Sequence, residues 1–193
     1  MSQRIATARL ILRPFEERDR APFAAMNADA EVMRHFPARL SRAESDQIID
    51  KVEAQRAKAG FSFCAVEERE TGRFVGMAGI SRVGFQAHFT PAVEVGWRFA
   101  RDAWGRGLAT EAARAAVDAG FRTFGLQEIV AFTVPANVRS RAVMERLGMR
   151  YDPAGDFDHP MLPRRHPIRP HVLYRLARAD WAATLDRPGT AAP

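Results

Sequence analysis

The stretch Trp104-Gly105-Arg106-Gly107-Leu108-Ala109-Thr110-Glu111-Ala112 decides the fold, because it joins a predicted strand to a predicted helix. The apolar segment Val93–Phe99 precedes it, and an alanine-rich helix predicted over Ala109–Thr123 follows it. Two glycines and an alanine allow a tight turn and let a ligand approach the backbone closely. The unpaired N–H groups at the start of the helix favour anions, phosphate above all. The stretch therefore predicts a pyrophosphate-binding loop, with an ordinary strand-to-helix turn as the alternative.

A second segment carries a family pattern. Glu128–Val134 reads as a buried strand, and it is followed by Pro135-Ala136-Asn137-Val138-Arg139-Ser140-Arg141-Ala142-Val143-Met144-Glu145-Arg146-Leu147-Gly148-Met149. With these residues the chain resembles the Gcn5-related N-acetyltransferases, most closely their ribosomal-protein alanine acetyltransferase-like branch. The branch signature is Asn-x-x-Ser, a helix and Leu-Gly-Phe. Its positions are matched by Asn137, Ser140 and Leu147-Gly148, with Met149 in place of phenylalanine.

The predicted pyrophosphate loop and the first strand extend this resemblance. The acetyl-CoA loop of the family reads Gln/Arg-x-x-Gly-x-Gly/Ala. This chain has Gly107 and Ala109 at the last two fixed positions, but Trp104 stands at the first. The opening Thr7–Pro14 looks like the first strand of the same branch, and the resemblance runs from about Thr7 to Ala183.

The resemblance implies acetyl-CoA as the co-substrate and no metal. The backbone groups of Trp97, Arg98 and Phe99 are expected to bind the pantetheine amides as an added strand would. Asn137 is expected to cap its helix and also to bind the pantetheine arm. The pyrophosphate is expected on the loop formed by Trp104, Gly105, Arg106, Gly107, Leu108, Ala109 and Thr110.

Two residues are candidates for acid–base chemistry. Strand alternation places Glu94 on the face opposite Val93 and Val95. In the family this strand splays from its neighbour around the acetyl group, so the resemblance makes Glu94 a general base, with a water molecule as the alternative. Many relatives protonate the leaving thiolate with a tyrosine where this chain has Met144. The resemblance then points to Ser140 as the proton donor or relay, although its spacing also suits an ordinary first helical turn.

The order of predicted elements indicates an α/β (α+β) fold. Its expected architecture is a single mixed, strongly twisted, mostly antiparallel sheet with helices on both faces. A capping box predicts a helix that starts at Ser41. The predicted strands are Leu10–Arg13, Phe61–Glu67, Phe74–Ile80, Val93–Phe99, Glu128–Val134 and His171–Leu176, and the other predicted helices are Glu16–Asn27 and the one that follows Asn137.

Length and composition set bounds on the protein class. The 193 residues and 47% hydrophobic content suit one domain over residues 1–186, followed by a frayed tail over 187–193. No apolar run approaches the ~20 residues that span a bilayer, and Met1–Ala6 has no apolar signal core, so we expect a cytoplasmic protein. Cys64 is the only cysteine, which excludes an internal disulfide, and its apolar strand favours core packing.

The net charge of +6 and pI of about 10.5 suit an anionic ligand such as coenzyme A. They would also suit RNA or a ribosomal surface, but no basic run is long enough to argue for a nucleic-acid arm. A solvated surface rich in arginine is the plain alternative. No P-loop motif is present, which disfavours a kinase or nucleotidase.

The segment Tyr151–Pro170 differs from the rest because it contains five prolines and no clear helical or strand pattern. A long loop inside a compact domain is usually functional or disordered. We expect it to cover the acceptor side, with Asp156, Asp158 and His159 as acceptor-binding residues. The irregular spacing of its histidines and aspartates disfavours a metal site.

These features predict an acetyl-CoA-dependent N-acetyltransferase. Acetyl would pass directly to a primary amine, either a protein N-terminus or a small amine, in a ternary complex. The alternatives are an acyl-CoA-binding protein without catalysis and an RNA- or ribosome-associated binding module. The sequence leaves open the acceptor, a monomeric or dimeric state, and whether the donor carries acetyl or a longer acyl group.

Overall fold

The computed structural model describes residues 4–185, and their main feature is one mixed sheet with the strand order β1-β2-β3-β4-β5-β6-β9-β7. A short strand, β8, pairs with β9 beside this path. The strands are β1 (Ile5–Ala6), β2 (Leu10–Arg13), β3 (Phe63–Glu68), β4 (Phe74–Arg82), β5 (Val93–Phe99), β6 (Glu128–Thr133), β7 (Arg150–Tyr151), β8 (Phe157–Asp158) and β9 (Pro170–Ala177). The helices are α1 (Arg20–Ala28), α2 (Arg42–Ala59), α3 (Leu108–Arg122), α4 (Val138–Arg146) and α5 (Arg178–Leu185).

Strand direction changes at one place in the sheet. Every pair is antiparallel except β5 with β6, which are parallel because α3 carries the chain across between them. Their register contains the single pair Glu94–Val130. The two strands therefore meet near their starts and diverge beyond Glu94, which leaves an opening in the middle of the sheet.

Helices cover both faces of the sheet, as predicted. One face packs against α3 and α4 through a core that includes Val93 and Val95. The other packs against α1 and α2, whose Phe23 and Ile49 join a separate core cluster. The mixed, mostly antiparallel sheet expected from the element order is confirmed.

Local signals set the ends of α2. Ser41 caps its start by accepting a hydrogen bond from the backbone N–H of Glu44, and the Glu44 carboxylate accepts one from the Ser41 N–H in return. Gly60 ends the helix with a φ of 82°, a conformation that favours glycine. The predicted capping box therefore forms.

A buried ion cluster ties β2 to β3 and to the chain before α1. Arg13 is only 1% exposed, and its guanidinium lies 2.6 Å from Asp19 and 2.9 Å from Glu67. Asp19 also accepts a hydrogen bond from the Glu16 backbone N–H. Buried carboxylates and a buried guanidinium persist only when paired in this way.

The structure adds elements that the sequence pattern did not indicate. The segment 151–170 contains β8 and a short 3-10 helix over Pro153–Gly155, and α5 follows β9 directly. Trp181 of α5 packs against Phe121 and donates to Asp118, which fixes α5 on α3. The predicted frayed tail over 187–193 lies outside the described residues.

Among residues 4–185, no helix is both long enough and apolar enough to cross a membrane. Within the same residues, no group of three or more histidine, cysteine or acidic side chains is placed to hold a metal ion. Cys64 is buried, and burial raises the pKa of its thiol.

Candidate active site

The opening in the sheet exposes one edge of β5. On its other side β5 is paired with β4 along its whole length, from Val93 to Phe99. Toward β6 the register holds only Glu94 opposite Val130, so the backbone of the following residues on that side lacks a strand partner. Of the predicted pantetheine-binding residues, Trp97 and Phe99 direct their backbone groups toward this free edge, whereas those of Arg98 face β4. An extended chain of amides can complete such an edge by backbone hydrogen bonding.

The predicted pyrophosphate loop has the backbone geometry of an anion site. Gly105 and Gly107 have φ values of 75° and 77°, which disfavour any other residue. Gly107 is the N-cap of α3, and it has no side chain to occupy the first N–H groups. The N–H groups of Leu108, Ala109 and Thr110 are therefore free to face an anion.

The loop is held from both sides. Trp104 donates its indole N–H to the Phe99 carbonyl at 2.9 Å, so the residue that departs from the family pattern closes the turn after β5. Arg139 of α4 lies over the Trp104 ring, 4.9 Å from its centroid, and bridges the mouth of the opening. Arg106 forms an ion pair with Glu68 of β3.

Arg9 is a loop contact that the sequence reasoning missed. Its side chain donates to the Arg106 carbonyl at 2.9 Å and pairs with Glu111 of α3 at 2.7 Å. A Cβ at Gly107 would lie 3.5 Å from the Arg9 guanidinium. This arginine adds positive charge beside the N–H groups of the loop, and its position within the first-strand motif was the available signal.

Glu94 lies where β5 and β6 separate. It is partly exposed, and no cation among the described residues pairs with it. Loss of solvation by the surrounding protein raises the pKa of its carboxyl to about 8. A carboxyl with this pKa can accept a proton once the pH reaches about 8, where a large fraction of it is ionised.

Asn137 and Ser140 lie at the start of α4, beside the other wall of the opening. The Asn137 amide oxygen accepts from the Ser140 backbone N–H at 3.3 Å, and its amide nitrogen donates to Thr133 at 3.0 Å. Asn137 is thus the N-cap. The Ser140 hydroxyl has no hydrogen-bond partner within residues 4–185, while Met144, one turn further on, is 2% exposed.

The side chain of Arg98 extends from one face of β5 and contacts α1, away from the backbone edge of the strand. It shares a face of β5 with Glu94, and its guanidinium donates to the Asn27 amide oxygen of α1 at 2.6 Å. The Phe36 ring lies 4.0 Å from the same guanidinium. Burial lowers the pKa of Arg98 to about 10, so the side chain remains charged at neutral pH. The sequence reasoning assigned only its backbone.

Aromatic rings cover the same face of the sheet beside Glu94. Phe132 of β6 is two residues beyond Val130, the partner of Glu94, and therefore shares its face. His159 lies 4.5 Å from the Phe85 ring and 6.4 Å from Phe132. The aromatic cluster consists of Phe85, Phe89, Phe132, Phe157, His159 and His171.

The segment 151–170 therefore packs on the Glu94 face of the sheet, and its contact with an acceptor stays a prediction. Burial, with the neighbouring His171 and Arg169, lowers the pKa of His159. Two phenylalanines in the connection before β5, Phe85 and Phe89, were the signal overlooked, because a solvated loop seldom needs large apolar side chains.

Two predicted acceptor residues hold the segment itself. Asp156 accepts from the Tyr151 hydroxyl at 2.6 Å and from the Leu173 N–H at 3.2 Å. Asp158 pairs with Arg169 at 3.0 Å and is largely exposed. Contact of either carboxylate with an acceptor stays a prediction.

A separate open cleft of about 630 Å³ lies between α1 and the short 3-10 helix after β5. Its lining includes Met26, Phe74 and Asp102 but none of the predicted site residues. The predicted site residues border the opening between β5 and β6 instead.

Comparison with known proteins agrees with this geometry. The model of the acetyltransferase (GNAT) domain matches residues 9–150. The chain is 33% identical over 149 residues to the uncharacterized protein YkkB of Bacillus subtilis, covering 77% of this chain and 86% of YkkB. It is 29% identical over 187 residues to the FsC-acetyl coenzyme A-N(2)-transacetylase of Aspergillus fumigatus, covering 91% of this chain and 76% of that protein.

Solved structures share the fold. An acetyltransferase from Agrobacterium tumefaciens superposes with a TM-score of 0.72 at 28% identity, covering 90% of this chain and 94% of its own. Mycobacterium smegmatis RimJ in complex with CoA-disulfide superposes with a TM-score of 0.70 at 22% identity, covering 95% and 93%. Because the domain model spans well over half of the 193 residues, the chain belongs to the GNAT acetyltransferases.

Proposed function

We propose that this acetyltransferase moves the acetyl group of acetyl-CoA directly to a primary amine, either a protein N-terminus or a small amine. The observation that carries the proposal is the position of Glu94. Its unpaired carboxyl lies where β5 and β6 separate, on the strand that leads to the anion-binding start of α3. A base, a free strand edge and a phosphate site thus follow one another along one stretch of chain.

The reaction needs one proton to move from nitrogen to sulfur. The neutral amine attacks the thioester carbonyl, a C–N bond forms, the C–S bond breaks, and its electron pair leaves on sulfur. We assign acceptance of the amine proton to Glu94 and delivery of a proton to the thiolate to Ser140. The unpartnered hydroxyl of Ser140 and the buried Met144 support this division, because no tyrosine occupies that helical position.

The donor is held by the loop and the strand edge in this proposal. The residues that fit coenzyme A are the uncapped N–H groups of Leu108–Thr110, the guanidinium of Arg9 and the backbone of Trp97 and Phe99. Asn137 retains its second amide hydrogen for the pantetheine arm after capping α4.

Both acceptor classes have support among the similar proteins. Structural neighbours of the same fold include a putative ribosomal-protein-serine acetyltransferase from Vibrio cholerae. The Aspergillus relative is named for acetylation at N(2) of FsC. Together with the sequence signature these names favour an amine acceptor and leave its size to experiment.

The test is an acetylation assay on the purified full chain. Acetyl-CoA is mixed with a panel of small amines and short peptides, released thiol is followed by colour, and each product is identified by mass. We expect amide formation that depends on the amine, with little thiol release in its absence. Binding of acetyl-CoA without transfer to any amine would support the non-catalytic alternative. Retention on RNA with a steep salt dependence would support the RNA-binding one.

A further inference from the structure

Arg98 occupies a built position on the acceptor face. Its guanidinium is fixed by the Asn27 amide at 2.6 Å, and Asn27 is itself fixed by a hydrogen bond of 3.1 Å to Ser45 of α2. The Phe36 ring lies against it at 4.0 Å. Three elements, α1, α2 and the connection between them, therefore hold one long side chain in one place.

This guanidinium has no counter-charge. No carboxylate within residues 4–185 lies at ion-pair distance from Arg98, and its buried Nε has no hydrogen-bond partner in those residues. Arg13, which is 1% exposed, has two carboxylates, whereas Arg98 is partly exposed and has none within residues 4–185. Burying an unpaired cation destabilises a fold unless a ligand supplies the missing charge. The carbonyl end of α1 and the Asn27 amide oxygen supply only partial negative charge.

Glu94 is an unpaired acidic side chain on the same surface. It is an unpaired carboxyl four residues earlier on the strand, so the two side chains share a face. At about 3.3 Å per residue their Cα atoms are roughly 13 Å apart. Gly96 lies between them, and a Cβ there would be 3.0 Å from the Phe63 ring, so this ring packs directly on Gly96 and an acceptor that reaches both side chains must pass beside it.

We infer that the acceptor carries an anionic group, a carboxylate or a phosphate, in addition to its amine, and that Arg98 binds this group. The inference rests on the proposed function, because it takes Glu94 as the place where the amine reacts. Arg98 then selects the acceptor by its charge, with Asn27 and Phe36 as positioning residues.

The spacing also limits the shape of the acceptor. Amine and anion must be several bonds apart to reach two side chains whose Cα atoms are roughly 13 Å apart. A free α-amino acid, whose amine and carboxylate share one carbon, is too short. A di- or tripeptide, at about 3.3–3.6 Å per extended residue, is long enough. An amine with an acidic side chain one or two residues away presents the same chemistry.

The test uses matched pairs of acceptors with the full chain. Alanine, Ala-Ala and Ala-Ala-Ala are compared with their C-terminal amides, phosphoethanolamine with ethanolamine, and Ala-Asp-Ala-amide with Ala-Asn-Ala-amide. In the pairs whose amine and anion are several bonds apart, we expect the anionic member to have a kcat/KM about 10- to 100-fold higher than its neutral partner. A charge-assisted hydrogen bond provides a preference of this size. The pair that shows the preference identifies the source of the anion.

Variants then connect the preference to Arg98. Arg98→Gln should remove the preference by raising the KM of anionic acceptors about 10- to 100-fold more than that of their neutral partners. Arg98→Lys should restore part of it. Arg34→Gln removes the same charge from the exposed part of the α1–α2 connection and should leave the preference intact.

The outcomes separate the two proposals. Equal use of charged and neutral acceptors by the wild-type protein overturns the anion site while the N-acetyltransferase proposal stands. A preference that survives in folded Arg98→Gln, checked by its melting temperature and acetyl-CoA binding, also overturns it. Absence of transfer to every amine overturns the proposed function and this inference with it.

Discussion

Glu94 has no cationic neighbour within residues 4–185, so its protonation state depends on the protein that displaces water around it. The position was readable from the sequence, because Val93 and Val95 mark the buried face and the resemblance marks the strand. Its raised pKa was not readable, since this follows from neighbours that only the folded chain brings together. The same holds for Arg98, whose partner Asn27 is 71 positions away along the chain.

The first prediction concerns the pH dependence of the reaction. With a pKa of about 8, Glu94 is mostly protonated below that pH and cannot accept a proton. The kcat/KM should therefore rise with pH and level off above about 8. Glu94→Gln should remove this rise and lower turnover by about 10²–10⁴-fold. Steady-state kinetics over a pH series check it.

The acceptor amine also loses a proton in this range, so two amines of different pKa serve as the control. The rise in kcat/KM that is due to Glu94 should stay near pH 8 with both amines. The rise that is due to the amine should shift with the pKa of the amine. A profile that follows only the amine, and is unchanged in the glutamine variant, would assign the base to water.

Among the helices and strands, α3 contributes its first turn to the predicted pyrophosphate loop. Gly107 has a φ of 77° and no side chain, so the first turn of the helix is uncapped. The glycine spacing predicted this loop from sequence alone. Trp104 was counted as a departure from the family motif, and the structure gives it a role in closing the turn by its hydrogen bond to Phe99.

The second prediction is that Gly107→Val raises the acetyl-CoA dissociation constant at least ~10-fold. A side chain there would block the approach of the pyrophosphate and strain a left-handed backbone by about 1–3 kcal/mol. Calorimetric titration measures the effect. Gly125→Val is the matched control, because Gly125 has a φ of 66° with open space around it and lies outside the loop. Equal affinity in the two folded variants would contradict the loop assignment.

The segment 151–170 shows where sequence reasoning was sufficient and where it was not. Its position between α4 and the last strand led to the prediction that it covers the acceptor side, and the structure places it on the Glu94 face of the sheet. Its internal order did not, because β8 forms only by pairing with His171 and Pro170. Likewise α5 is short and depends on Trp181 packing against α3. By contrast, α2 was predicted well because its capping box lies within four residues.

The third prediction is that His159→Ala raises the acceptor KM about 2- to 10-fold, the range expected for losing a ring contact. Turnover and acetyl-CoA affinity should remain nearly constant, because His159 contacts Phe85 and Phe132 and not the loop. His166→Ala is the control, since this histidine lies in the same segment outside the aromatic cluster. Equal kinetic effects of the two changes would assign acceptor recognition to α1 and the connection after it.

At the scale of the whole molecule, the Arg13 cluster joins the start of the chain to the sheet. Arg13 is enclosed, while Arg18, which also pairs with Glu67, has a side chain that is 58% exposed. The two arginines share a carboxylate partner and differ in burial. They therefore provide a matched comparison of a buried and an exposed ion pair.

The fourth prediction is that Arg13→Ala lowers the free energy of unfolding by about 3–5 kcal/mol, since Asp19 stays buried without its cation and Glu67 keeps only the exposed Arg18. Arg18→Ala should cost about 0–1 kcal/mol, as exposed pairs do. Urea denaturation at neutral pH measures both. A loss below 1 kcal/mol for Arg13→Ala would show that water or another cation replaces the guanidinium.

If coenzyme A binds in the opening between β5 and β6 as proposed, the stability of the folded protein depends on the coenzyme concentration. A ligand that completes the strand edge binds only the folded chain, and at a 100-fold excess over its dissociation constant it adds about 2.7 kcal/mol of stability. Free coenzyme A has the same pantetheine and pyrophosphate as its acetyl ester, so the two should protect equally. Resistance to heat and proteolysis would then follow the total coenzyme concentration and be insensitive to the fraction that is acetylated.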